Sequence, residues 1–170
     1  TLTVLPSPGK DAERLSDSLP WFPIVGLAMG ALLHAVVLAL GIVGGDRWPE
    51  GSAGVIVLLG TVLTGGLHLD GLADWADGLG GGGRRERILE IMKDPRTGAF
   101  GVIAMACVIL MKWIALSRLI ALHLSVWIAA AYVVSRCMQA DLAARLPYAR
   151  ETGTGAPFIR PAGAARRAMI

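Results

Sequence analysis

Four apolar runs constrain what this 170-residue chain can become: Trp21–Val43, Gly51–Leu67, Ala99–Leu116 and Leu119–Ser135. The first, at about 1.5 Å per residue, covers about 35 Å, enough to cross a bilayer with some tilt. Trp21 and Trp48 flank it, where interfacial indoles are common. The second is short and glycine-rich, which permits close helix packing. Composition agrees: 54% of residues are hydrophobic, 17% are charged and the mean hydropathy is +0.59. An ordinary soluble domain is less apolar and more charged. The predicted fold is all-α: a polytopic integral membrane protein with at least four transmembrane helices, residues 1–170 forming a single membrane domain. Turns are expected at Gly44–Glu50 and at Ser117-Arg118. Cys107, Cys137 and mid-run His34 read as buried packing residues.

The polar chemistry is concentrated between the second and third runs. His68 to Gly83 reads HLDGLADWADGLGGGG and carries Asp70, Asp74 and Asp77, in a chain with only 13 acidic residues. The i, i+4, i+7 spacing puts the three carboxylates within about 60° on a helix. No lysine or arginine lies between Asp70 and Gly83 to neutralise them. A divalent cation with hard oxygen ligands, Mg²⁺ or Mn²⁺, is the predicted counter-charge. Four glycines, Gly80–Gly83, follow, and their backbone N–H groups could approach a phosphate. Arg84–Met92 is amphipathic, with Ile88, Ile91 and Met92 on its apolar side, and is expected to lie along the membrane interface. Lys93-Asp94-Pro95-Arg96-Thr97-Gly98 then leads to the third run.

The formal charge is only +3, but its distribution is uneven. With four spans, 13 of the 16 basic residues share the side of the 68–98 loop, which the positive-inside rule places in the cytoplasm. Acidic metal ligands beside arginines suit phosphoryl chemistry: a cation neutralises phosphate oxygens and guanidinium groups hold transition-state charge. Nucleic acid is excluded, because no basic face with interleaved aromatics exists. A transporter with a carboxylate relay is disfavoured, because no acidic residue falls inside any of the four runs.

The stretch from His68 to Gly82, followed by R87-ILEIMKDPRTGAF-G101, closely resembles the cobalamin synthase family, the adenosylcobinamide-GDP ribazoletransferases. Trp21–Gly26, Ser135-Arg136 and Pro147–Arg150 are similar to that family too, so the resemblance covers most of the chain. It implies a Mg²⁺-dependent, multi-pass enzyme of the cell inner membrane with its active site on the cytoplasmic face. Such an enzyme joins adenosylcobinamide-GDP to α-ribazole or its 5′-phosphate, giving adenosylcobalamin or its 5′-phosphate and GMP. Family members have further C-terminal helices, so the chain is expected to be part of a longer protein, and a homo-oligomer is open. On this reading Asp70, Asp74 and Asp77 hold the metal. One of them, or Asp94 or, ranked lower, His68, accepts the hydroxyl proton. His68, Lys93 and Arg96, and on the resemblance alone Arg136 and Arg150, contact substrate. The DGxAD pattern is also similar to the CDP-alcohol phosphotransferase signature, but Asp74 stands where that signature has arginine.

Overall fold

The computed structural model describes residues 19–147 and residue 149; Arg150 lies outside them. The described residues are all-helical. Six α-helices follow in order: α1 Phe22–Ile42, α2 Pro49–Leu63, α3 Leu67–Gly80, α4 Arg85–Ile91, α5 Ala99–Ala121 and α6 Val126–Arg145. The described residues fall into two compact units, one containing residues 36–124 and the other residues 19–35 with 125–147.

In the first unit α5 packs against α2 and α3, and α3 against α4. Pro49 starts α2 where its missing N–H costs nothing. Trp113 Nε1 donates to the Glu50 carbonyl at 2.7 Å, pinning α5 to the start of α2. The second apolar run does not continue as one straight helix: α2 and α3 meet at 86°. The cause is local. Gly65 and Gly66 both have positive φ, +60° and +70°. Gly65 N–H bonds Val62 O at 2.9 Å and Gly66 N–H bonds Thr61 O at 3.0 Å, the paired bonds of a Schellman stop. Only glycine adopts two such residues in succession without strain.

The third and fourth runs divide differently from the expectation. Ser117 and Arg118 do not turn; they lie inside α5. Ser117 Oγ satisfies itself on the Trp113 carbonyl at 2.7 Å, one turn back. The stop comes at His123, φ 55°, with His123 N–H on Ile120 O and Leu124 N–H on Leu119 O. Residues 119–121 therefore finish α5 rather than open a fourth span. Among the described residues two helices are long and apolar enough to cross a membrane, Leu19–Ile42 and Ala99–Ala121, or three if the bent pair counts as one span. α6 carries Arg136, Gln139, Asp141 and Arg145 and is not among them. Only 6% of the apolar window of α5 is buried in the protein.

In the second unit Gly26 and Gly30 bring α1 onto α6. A Cβ at Gly30 would lie 2.5 Å from the Ala129 Cα, and one at Gly26 would lie 2.7 Å from the Tyr132 carbonyl oxygen. His34 Nδ1 lies 3.1 Å from Ser125 Oγ, consistent with its reading as a packing residue. Cys107 and Cys137 are free thiols and, contrary to expectation, exposed, because each sits on a helix face that no described neighbour covers.

Candidate active site

α3 forms over the acidic stretch, so Asp70, Asp74 and Asp77 share one face as the spacing predicts. That face turns toward the protein at its Asp77 end. Asp70 is exposed, Asp74 and Asp77 are half-buried, and Ala73 beside them is buried. The opposite face shows Trp75 and Leu79 to the outside, 54% and 51% exposed. A helix bathed in water has the reverse arrangement.

The third carboxylate has a definite occupation. Asp77 Oδ2 accepts Gly98 N–H at 2.7 Å, and its Oδ1 accepts Gly101 N–H at 2.8 Å. These are the N-cap and third residues of α5, two of the backbone donors that a helix start leaves without partners. Gly98 has no side chain to cap α5 itself, so the cap comes from 21 residues away. In the sequence Gly98 and Gly101 stand only as part of the loop and motif that lead into the third run. The signal was a long helix with no capping side chain at its start.

α4 lies against α3 through the apolar side chains expected of it. Ile88 and Met92 sit over Gly78, and Ile91 over Gly81, at distances where a Cβ would collide. Between α4 and α5, Asp94 and Arg96 pair. Asp94 Oδ1 accepts both the backbone N–H and Nε–H of Arg96 at 3.0 Å, and its Oδ2 accepts Nη2–H at 2.7 Å. These bonds, the side-chain ones foremost, hold the Asp94 carboxyl down at about 2 and raise the Arg96 guanidinium. A carboxylate so stabilised is a weak proton acceptor.

Lys93 is exposed on the same loop. His68 lies in the first turn of α3, about 160° round the helix from the aspartates, and is not brought to them. Arg136 is in the other unit, buried mid-helix in α6, with Nη1 donating to Gln139 Oε1 at 2.6 Å and Nη2 facing Met29 Sδ at 3.6 Å. Among the described residues no three His, Cys, Asp or Glu side chains converge as a ligand set. Asp70 and Asp74, one turn apart on a single face, do fit a Mg²⁺ ion, which is commonly held by one or two carboxylates, with substrate phosphates and water completing its shell.

Comparison with known proteins bears on this arrangement. A chain of Chlorobium chlorochromatii named adenosylcobinamide-GDP ribazoletransferase is 51% identical over 166 residues, 96% of this chain and 64% of that protein. One of the same name from Chlorobaculum parvum is 53% identical over 164 residues, 96% of this chain and 63% of its own. A more distant one, from Pseudomonas syringae, is 38% identical, covering 98% of this chain and 66% of its own. The chain thus spans somewhat under two thirds of the first two relatives' length. No solved structure matches. The family model described as cobalamin-5-phosphate synthase matches residues 1–170 from end to end, and the chain belongs to that family.

Proposed function

We propose that this chain is the greater part of a membrane enzyme that joins adenosylcobinamide-GDP to α-ribazole or its 5′-phosphate and releases GMP. The observation that carries the reading is the acid face of α3, set on the start of α5 beside the Asp94–Gly98 loop in a member of this family. In the reaction a ribose hydroxyl oxygen of the ribazole other than the 5′ one, which the 5′-phosphate occupies, bonds to the phosphorus on the cobinamide side. The bond from that phosphorus to the bridging oxygen breaks, and GMP leaves with the electron pair. Asp70 and Asp74 hold Mg²⁺, which when bound neutralises pyrophosphate oxygens. One of these two carboxylates takes the hydroxyl proton, since the bonds from Arg96 lower the Asp94 pKa and make it the weaker base, and His68 lies on the other side of α3. Arg96 and Lys93 meet the phosphates, Arg96 while keeping its bonds to Asp94, since a guanidinium carries five N–H donors.

The outward Trp75 and Leu79 and the uncovered apolar surface of α5 support a bilayer setting, with α3 and α4 at the interface. Five basic residues between α3 and α5, against Arg47 between α1 and α2, favour the cytoplasmic side of the inner membrane for the site.

The test is GMP release by the intact protein in membranes, with adenosylcobinamide-GDP and α-ribazole 5′-phosphate. Turnover should require Mg²⁺, and Asp70→Asn and Asp74→Asn should each abolish most of it. Near-normal rates without divalent cations would refute the metal. No GMP from either acceptor would refute the activity.

A further inference from the structure

Asp77 belongs to the acidic stripe by sequence but to α5 by contact. We infer that Asp77 is a positioning residue, the cap of α5 supplied in trans, and that the metal reading above rests on Asp70 and Asp74 without it. Both carboxylate oxygens are engaged, each by one backbone N–H. A carboxylate there also meets the positive end of a helix of 23 residues. Two glycines are shaped to it. A Cβ at Gly98 or at Gly101 would lie 2.5 Å from an Asp77 oxygen, so a side chain at either position would expel the carboxylate. Were Asp77 to turn to a metal, the amides of Gly98 and Gly101 would lose their acceptor, and no side chain on α5 would replace it. The consequence reaches the chemistry through the loop. Gly98 follows directly on Asp94–Thr97, so the cap fixes where Arg96 stands relative to Asp70 and Asp74 on α3.

The geometry offers a way to separate cap from ligand. Gly98 has φ −87° and ψ 179°, a backbone any residue accepts at an N-cap. The three heavy atoms closest to a Cβ there all belong to the Asp77 carboxyl. In Asp77→Ala that space is free, and Gly98→Asp can cap α5 from its own N-cap position. The experiment uses the full-length protein in detergent, with Mn²⁺ as the metal probe and hydrogen exchange read on peptides covering residues 98–101. Asp77→Ala should speed exchange there roughly ten- to a hundredfold, the loss of charge-assisted bonds. Its Mn²⁺ affinity should stay within about twofold of wild type, whereas Asp70→Asn and Asp74→Asn should each lose tenfold or more. Adding Gly98→Asp should restore both the slow exchange and the turnover.

Because a carboxylate at residue 98 would stand close to the place of the Asp77 carboxyl, the Mn²⁺ affinity of Asp77→Ala alone, and not the rescue, separates ligand from cap. Loss of Mn²⁺ affinity in Asp77→Ala equal to that of Asp70→Asn overturns the inference. Should Asp77→Ala fail to fold, wild type decides: saturating Mn²⁺ should leave exchange at 98–101 unchanged, and a tenfold increase overturns the cap. Mn²⁺ affinity indifferent to Asp70→Asn and Asp74→Asn would instead refute the metal reading, and the exchange measurement would still decide the cap.

Discussion

One substitution, made at two glycines, should have opposite signs. Gly101→Ala puts a methyl group 2.5 Å from Asp77 Oδ2, 3.0 Å from Thr97 Cγ2 and 3.1 Å from Ala73 Cβ. Ala73 is buried and cannot yield. The carboxylate must leave the Gly101 amide, a loss of about 1.5–3 kcal/mol for a bond to a charged acceptor. Crowding adds about 1–3 kcal/mol. Helix propensity returns about 1 kcal/mol for Ala over Gly. The net expectation is a destabilisation of about 2–4 kcal/mol, in the middle of the resulting range. For a chain of this size that lowers Tm by roughly 4–16 °C. Gly54→Ala, inside α2, meets nothing within 4 Å. Only the propensity term acts there, so Tm should rise by roughly 2–4 °C. Thermal unfolding followed by circular dichroism, in one detergent for all three proteins, is the assay. If Gly101→Ala were as stable as wild type, the carboxylate would not be where the glycines imply, and the close approach of α3 to α5 would be wrong.

On the proposed reading, in which the guanidinium stabilises transition-state charge, Arg96→Ala should lower kcat/KM for adenosylcobinamide-GDP by roughly one to three orders of magnitude; unchanged kinetics would leave it a topology signal. The Asp94 carboxyl, depressed from 3.8 to about 2, should titrate near 2 by ¹³C NMR and return toward 3.8 in Arg96→Ala. The sign follows: the pair's contribution is fully present above pH 3.8 and is lost as pH falls through about 2, so a midpoint near 4 in wild type would exclude the pair. Gly30→Ala meets the Ala129 backbone at 2.5 Å, which cannot move aside as a side chain can. It should destabilise by about 1–3 kcal/mol, read as a fall in Tm, and equal stability would argue against the α1–α6 contact.

Helices were legible where apolar length or polar period marked them. Trp21–Val43 and Ala99 onward are such cases, and so is the aspartate face of α3, read from its spacing alone. The errors have local causes. Ser117-Arg118 looks like a turn because both residues are polar, but serine satisfies its hydroxyl on the preceding turn of an apolar helix and lets it continue. His123 gives no such warning, being a residue outside the usual glycine punctuation that takes φ 55°. Gly65-Gly66 was noticed for close packing, whereas its use is a reversal of φ that bends the chain by 86°. The role of Asp77 was hidden for a different reason. Its partners are backbone amides 21 and 24 residues on, and an amide carries no letter in a sequence.

The shortness of α2 has a consequence for the medium in which this protein works. Its 15 residues amount to about 22 Å. α5 is pinned to the same span, from Gly98 at the Asp77 end to Trp113 at the Glu50 end, again about 22 Å. A typical hydrocarbon core is about 30 Å thick. In the proposed bilayer setting the elbow at Gly65-Gly66 therefore cannot sit at the far headgroups without thinning the lipid around it. Each ångström of mismatch costs a fraction of a kcal/mol. Short acyl chains place Asp70 and Asp74 level with water and nucleotide; long ones draw them beneath the surface, where an ionised carboxylate is expensive. Lipid thickness thereby sets the depth of the acid face, and membranes of different chain length should support different turnover from one and the same protein.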